Sequence, residues 1–107
     1  MGSNRAYNSK VEIMKESSFD NFQVRQVSDF LQKYMKENHI GSLTADESAS
    51  LLAENNILSN RIPPKPGFNF RQMLRDGRDD LINLVDGAFQ VRPNTKWLIN
   101  KKRKSVG

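Results

Sequence analysis

The sequence predicts an α+β fold in which three helices are followed by a small antiparallel β-hairpin sheet. Three observations predict it: apolar residues at helical spacing in the first half, a proline-rich interruption after them, and short apolar segments separated by turn residues towards the C-terminus. The chain has 107 residues, of which 36% are hydrophobic, so it can bury one modest core. We divide it into an N-terminal arm over residues 1–19, expected to be flexible, a folded domain over residues 20–100 and a basic C-terminal tail over residues 101–107.

The first helix is predicted near residues 21–38. Apolar residues recur there at spacings of one, three and four, which is the period of one helical face. Asp20 is the predicted N-cap, and Gly41 is a stop signal. The apolar residues are Val24, Val27, Phe30, Leu31, Tyr34 and Met35.

A short bridging strand over residues 40–43 is expected to precede the second helix. Thr44 and Glu47 have the spacing of a capping box, in which each side chain accepts a hydrogen bond from the backbone amide of the other residue. The second helix is therefore predicted to begin after Thr44. It is predicted to end near Asn55, because asparagine tolerates the left-handed geometry of a helix end.

Three prolines and a glycine in residues 59–67 exclude a helix interior and predict an ordered, extended connector. The third helix is predicted over about residues 69–76, where apolar side chains recur at i, i+3 and i+4. Those side chains are Phe70, Met73 and Leu74. Gly77 is predicted to end this helix.

The C-terminal part predicts short strands separated by turns. Asp86-Gly87 is a strong turn dipeptide, and Pro93 suits a turn over residues 92–95. The strands are predicted over residues 81–85, 88–91 and 96–99. Eight large side chains are expected to share one core: Phe30, Leu31, Tyr34, Leu52, Phe70, Leu74, Phe89 and Trp97.

This order of elements resembles the winged helix-turn-helix arrangement over about residues 20–100. Residues 68–78, followed by Gly-Ala-Phe-Gln at residues 87–90, are similar to winged helices attached to restriction endonucleases and chromatin regulators. The resemblance implies that the protein binds double-stranded DNA, with the third helix in the major groove and the hairpin as a wing. The long connector departs from the tight turn of a minimal helix-turn-helix, which leaves the angle of the third helix open.

The charge distribution favours a polyanionic partner. Residues 1–60 hold six Lys/Arg and eight Asp/Glu, a net charge of −2, whereas residues 61–107 hold eleven and four, a net charge of +7. A basic surface near the C-terminus is the electrostatic signature of nucleic-acid binding. The alternative is a basic tail that only aids solubility.

The polar face of the third helix carries the strongest functional signal. Arg71, Gln72 and Arg75 lie opposite the apolar stripe, and Asn69 lies near the N-terminal end. Arginine can make a bidentate contact to guanine, and asparagine or glutamine can make one to adenine. The alternative is a solvated helix surface, since arginine and glutamine are good surface helix formers.

Further cations are expected to contact phosphates. Lys65 and Arg78 flank the third helix, although either of them, and Arg78 above all, can instead pair with Asp76, Asp79 or Asp80. The predicted wing contributes Arg92, Asn94, Thr95 and Lys96, and the tail contributes Lys101, Lys102, Arg103 and Lys104. The tail also has the composition of a nuclear localisation signal.

Catalysis has little support in the sequence, and we expect no enzyme, cofactor or metal. There is no cysteine, and the single histidine, His39, lies where the first helix ends. Asp79 and Asp80 would suit a metal-dependent nuclease, but acidic residues after a helix end are ordinary. The rival functions are a protein-interaction winged helix and RNA binding. As a DNA-binding domain, it could be the recognition module of a larger assembly.

No apolar stretch resembles a signal peptide or a membrane span, so we expect an intracellular protein. It would be cytoplasmic or nucleoid-associated in a bacterium and nuclear in a eukaryote.

Overall fold

Three helices and a three-stranded antiparallel sheet make up the described part of the protein, which in this computed structural model comprises residues 16–59, 67–92 and 95–102. The elements in chain order are α1 (Asn21–Glu37), β1 (Ser42–Thr44), α2 (Ala45–Glu54), α3 (Phe68–Arg78), β2 (Ala88–Gln90) and β3 (Trp97–Asn100). The predicted α+β class is confirmed. Most of the connector, residues 60–66, lies outside the described residues.

The two predicted helix starts are confirmed by their hydrogen bonds. The backbone amide of Gln23 donates to Asp20 Oδ1 at 2.9 Å, and the Asp20 amide donates to Gln23 Oε1 at 2.9 Å. The same reciprocal pair links Thr44 and Glu47 at the start of α2, at 2.9 and 3.0 Å. Each box satisfies backbone donors that the first helical turn leaves without a partner inside the helix.

The sheet has the order β1-β3-β2, so β3 is the central strand. Leu43 of β1 lies opposite Ile99, and Phe89 of β2 lies opposite Leu98. Because β1 runs directly into α2, its pairing with β3 fixes the N-terminus of α2 beside the β2–β3 hairpin.

One core joins the sheet to all three helices. Five of the eight predicted core residues are buried: Leu31, Leu52, Phe70, Leu74 and Trp97. Phe30 and Tyr34 are partly buried against this core, with their rings stacked at 6.2 Å between centroids. Phe89 is only half-buried, because side chains alternate along a strand and its neighbour Ala88 occupies the core side of β2.

The prediction of a strand over residues 81–85 is wrong. The Leu81 amide donates to the Asp76 carbonyl oxygen at 3.0 Å, and the Asn83 amide donates to Asn21 Oδ1 at 2.7 Å. These backbone donors are therefore bonded to α3 and α1, and the segment is a loop. Apolar composition alone did not distinguish such a loop from a short strand.

The prediction that Gly77 ends the third helix is also wrong, because α3 continues to Arg78. Gly77 is buried where α3 meets the following loop, and a Cβ built on it would lie 2.8 Å from Leu84 Cα. Its lack of a side chain therefore serves close packing.

Candidate nucleic-acid interface

The orientation of α3 is the one its apolar stripe predicts. Phe70, Met73 and Leu74 are all buried in the core. The helix begins after Gly67, which adopts the left-handed conformation with φ +89 and gives no side-chain cap. The opposite face of α3 therefore presents the candidate base-reading side chains to the exterior.

Asn69, Arg71, Gln72 and Arg75 are half-buried on this face, less exposed than a solvated helix surface would be. Each of them contacts another residue: Asn69 and Arg71 reach other segments, whereas Gln72 and Arg75 bond within α3. Asn69 Nδ2 donates to the Ser59 carbonyl oxygen at 3.1 Å, which links α3 to the start of the connector. The intramolecular contacts decide which of these side chains has donors left for a ligand.

Arg71 forms an ion pair with Asp46 through Nη1 and Oδ1. The arginine side chain is 21% exposed, whereas the aspartate is 79% exposed. The pair links the N-terminal part of α3 to the N-terminal part of α2. Asp46 was not among the predicted site residues, and it lowers the net positive charge of this surface.

A chain of three hydrogen bonds runs along the same face of α3. Ser17 Oγ donates to Asp76 Oδ2 at 2.6 Å, and Gln72 Nε2 donates to Asp76 Oδ1 at 2.8 Å. Arg75 Nη2 then donates to Gln72 Oε1 at 2.8 Å. The Arg75 guanidinium carbon also lies 5.4 Å from the centre of the Phe68 ring, a cation–π contact. Asp76 is only 5% exposed, so the chain begins at a buried carboxylate.

The ends of α3 differ in what they offer a phosphate. Arg78 is exposed and pairs with Asp79 (Nε to Oδ1, 3.2 Å), the second of the three partners weighed for it. Lys65, the cation predicted before α3, lies outside the described residues.

The turn between β2 and β3 is held by Thr95. The Arg92 amide donates to Thr95 Oγ1 at 3.1 Å, and the Thr95 amide donates to the Arg92 carbonyl oxygen at 3.2 Å. Gln90 Nε2 donates to the Thr95 carbonyl oxygen at 2.8 Å. Thr95 therefore shapes the turn, while Arg92 and Lys96 are exposed beside it. Asn94 lies outside the described residues.

An open cleft of about 410 Å³ lies between α3, the N-terminus of α2 and the hairpin. It brings together Arg71 of α3 and Lys96 at the start of β3, with Asp46 at its α2 side. Its remaining lining residues are Thr44, Ala45, Thr95 and Trp97. Trp97 is buried, as expected of a core residue.

The beginning of the basic tail lies against α1. The Lys101 amide donates to the Gly41 carbonyl oxygen at 2.8 Å, and the Lys102 amide donates to Gln32 Oε1 at 2.8 Å. Lys102 Nζ lies 3.5 Å from Asp86 Oδ2. Arg103 and Lys104 lie outside the described residues.

Two lysines of α1, Lys33 and Lys36, line a depression of about 540 Å³ together with Lys101 and Lys102. Lys101 and Lys102 were predicted phosphate contacts, whereas Lys33 and Lys36 were not predicted from the sequence. The signal for Lys33 and Lys36 was their i, i+3 spacing on the polar face of α1. This second basic surface shares no lining residue with the cleft beside Arg71.

Arg25 lies on α1 near this second surface. The hydrogen bond that Arg25 Nη1 donates to Asp29 Oδ1, at 3.0 Å, raises the pKa of Arg25, and the charge of Asp86 raises it further. Asp86 thus has a cation on each side, Arg25 and Lys102.

A wide groove of about 880 Å³ separates the end of α3 from the hairpin. Leu84 and Val91 line it and are 40% and 67% exposed. The half-buried Phe89 and the cations Arg78 and Arg92 are also part of its lining. This groove therefore exposes two apolar side chains beside the hairpin.

Comparison with protein-family models, with curated proteins and with solved structures finds no match for this chain. Across residues 16–59, 67–92 and 95–102, no group of three or more His, Asp and Glu side chains is arranged to hold a metal ion. No helix in that part of the chain has the length and apolar character needed to cross a membrane.

Proposed function

We propose that this protein is a winged helix that binds double-stranded DNA, with α3 as the recognition helix and the β2–β3 hairpin as the wing. The observation that carries the proposal is the cleft that Arg71 of α3 and Lys96 of the hairpin line together. In a winged helix the recognition helix and the wing contact one stretch of duplex side by side. A surface on which both elements bring cations together suits that partner.

Burial supports the assignment of α3. Its apolar side chains face the core, so Gln72 and Arg75 lie on the side from which a duplex would approach. Arg92 and Lys96 are exposed beside the hairpin turn, where they could contact phosphates that flank the major groove of the DNA. The proposal includes no catalytic step, cofactor or metal. A DNA partner would place the protein in the cytoplasm or nucleoid of a bacterium, or in the nucleus of a eukaryote.

The test is the selection of bound duplexes from a random pool at two salt concentrations. Binding that weakens with salt supports phosphate contacts, and an enriched motif supports base reading. Lys96→Ala should lower the slope of log affinity against log salt by about one, because it removes about one phosphate contact. Lys36→Ala removes a lysine of α1 that the proposal does not place against a phosphate, and it should change the slope less.

Two results would contradict the proposal. If Lys36→Ala and Lys102→Ala abolish binding while Arg75→Ala and Lys96→Ala bind like the parent, the α3–wing model is wrong. If duplex RNA of the same sequence competes as well as duplex DNA, a helix in the major groove is excluded, because the major groove of RNA is deep and narrow.

The second candidate is a protein-interaction winged helix. It is favoured by the groove in which Leu84 and Val91 are exposed beside the hairpin. Val91→Ser should leave DNA affinity unchanged under the DNA-binding proposal. A loss of DNA affinity in that variant would move the interface into this groove.

A further inference from the structure

We propose that Arg75 is the guanine-reading residue of this domain and that Gln72, Asp76 and Ser17 are positioning residues that fix its guanidinium. The inference rests on the proposed DNA-binding function and specifies how that site selects a base. By residue type alone, four side chains on the polar face of α3 are equal candidates for contacting a base. The contacts distinguish one base-contacting residue from the residues that position it.

Both the nitrogen and the oxygen of the Gln72 side-chain amide already form hydrogen bonds. Its nitrogen donates to Asp76 Oδ1 and its oxygen accepts from Arg75 Nη2, both at 2.8 Å. A bidentate contact to adenine needs the same nitrogen and oxygen pointed at the base. Each of these two atoms can make one more hydrogen bond, but the existing bonds fix the direction in which the amide points. We therefore assign Gln72 the role of connecting Asp76 with Arg75.

Two other candidates on α3 are held in a similar way. Arg71 Nη1 is paired with Asp46, and the Asn69 amide nitrogen donates to the carbonyl oxygen of Ser59. Both contacts join α3 to neighbouring segments. They are better suited to fixing the helix than to reading a base.

Arg75 differs from Arg71 because its partner is the neutral amide of Gln72 and, among the described residues, no carboxylate forms an ion pair with it. A guanidinium has five N–H groups in one plane, and within the described residues the one hydrogen bond it donates is from Nη2 to Gln72. That in-plane bond and the Phe68 ring at 5.4 Å define the plane of the fork. Guanine presents two acceptors, O6 and N7, at the major-groove edge, which match two parallel donors of such a fork.

The orientation originates at the buried carboxylate of Asp76. An ionised carboxylate only accepts hydrogen bonds, so Gln72 must turn its NH₂ group towards Asp76 and its oxygen towards Arg75. The second carboxylate oxygen accepts from Ser17 Oγ at 2.6 Å, although Ser17 is 59 positions away in the chain. The segment before α1 therefore takes part in setting the direction of Arg75.

The experiment measures binding of the enriched duplex before and after its preferred guanine is replaced by 7-deazaguanine, which lacks the N7 acceptor. The parent should lose about tenfold in affinity, an order-of-magnitude expectation for half of a bidentate contact. Arg75→Ala should bind the two duplexes equally. Gln72→Ala and Ser17→Ala should bring the ratio of the two affinities towards one, measured at a temperature at which circular dichroism shows each variant to be folded.

Ser17→Thr is the conservative control, since it keeps the hydroxyl and should keep the discrimination. Full discrimination in Gln72→Ala and Ser17→Ala would overturn the positioning roles. An Arg75→Ala variant that still distinguishes the two duplexes would overturn the reading role while DNA binding stands. Absence of duplex binding by the parent would overturn the proposed function and this inference with it.

Discussion

Arg71 in α3 is paired with Asp46 at the first turn of α2, across 25 positions of sequence. The aspartate side chain is 79% exposed, so its charge reaches the cleft in which we propose that DNA binds. A carboxylate there stabilises α3 locally and repels a phosphate. We therefore expect Asp46 to increase the stability of the fold and to lower the affinity for DNA.

Replacing Asp46 with Asn should therefore strengthen DNA binding at low salt, about threefold to fivefold, because charges about 4 Å apart in water interact by ~1 kcal/mol. Stability should fall by less than ~1 kcal/mol, the usual range for an exposed ion pair. Fluorescence anisotropy with a labelled duplex and urea unfolding measure the two effects. Asp29→Asn on α1 is the charge-matched control and should bind like the parent. Weaker binding by Asp46→Asn would mean that Arg71 must be held by Asp46 in order to contact DNA.

The orientation of α3 predicts the effect of a core truncation. Leu74 is fully buried, so Leu74→Ala should destabilise the protein by about 2–5 kcal/mol. Val91→Ala, at a side chain that is 67% exposed, should stay within ~0.5 kcal/mol of the parent. Chemical denaturation followed by tryptophan fluorescence of Trp97 reports both. Equal costs at the two positions would refute the assigned face of α3.

Gly77→Ala tests whether helix propensity or packing has the larger effect on stability at the end of α3. Alanine is the better helix former by ~1 kcal/mol, which alone would stabilise the protein. The added Cβ, however, would lie 2.8 Å from Leu84 Cα, and overpacking of that kind costs about 1–3 kcal/mol. We expect a net loss of stability in thermal unfolding.

Gly41→Ala is the matched control for this substitution, because no atom lies within 4 Å of a Cβ built there. It should be neutral or stabilise the protein by up to ~1 kcal/mol through the unfolded state. A stabilised Gly77→Ala variant would mean that the loop at Leu84 moves away at little cost.

Two N-terminal deletions separate the arm from the domain. The sequence predicts that residues 1–18 contribute little to stability. In the structure Ser17 bonds to Asp76 and Phe19 packs against the core, so the division should fall just before these residues. Deleting residues 1–15 should leave the melting temperature nearly unchanged, whereas deleting residues 1–19 should lower it by several degrees, since 1 kcal/mol shifts a domain of this size by about 4–8 °C. Equal melting temperatures for the two deletions would show that these contacts add no stability.

The tail should supply affinity without selectivity. Lys102 lies on the α1 side, where phosphates would be its accessible partners, and its side chain is 58% exposed. Lys102→Ala should weaken binding to every duplex about equally and lower the salt slope by about one. The measurement is a salt titration on two unrelated duplexes. A change in preference between them would show that this lysine reads sequence.

The sequence predicted the parts of the fold that depend on local chemistry. The N-cap at Asp20, the capping box of Thr44 and the buried stripe of α3 follow from residue types a few positions apart. The loop over residues 81–85 was missed because its backbone bonds reach Asn21, 62 positions away. Distant contacts of this kind leave no periodic signal in the sequence.

The same distinction between local chemistry and distant contacts applies to the candidate site. The side-chain types on the polar face of α3 could be predicted from spacing alone. Their partners could not, because Asp46 and Ser17 lie 25 and 59 positions from the residues they contact. Such partners decide whether an arginine or a glutamine is available to a ligand.

The central position of β3 has a consequence for how the chain acquires its structure. Ser42 of β1 lies opposite Asn100 of β3, so β1 cannot pair until β3 has been synthesised. Within the described residues, β2 likewise pairs only with β3. During synthesis on the ribosome, α1 and α2 are therefore made well before the strand that closes the sheet beside them. Until residues 97–100 emerge, β1 and β2 lack the strand that pairs with them, so we expect intermolecular pairing to be a risk during this interval.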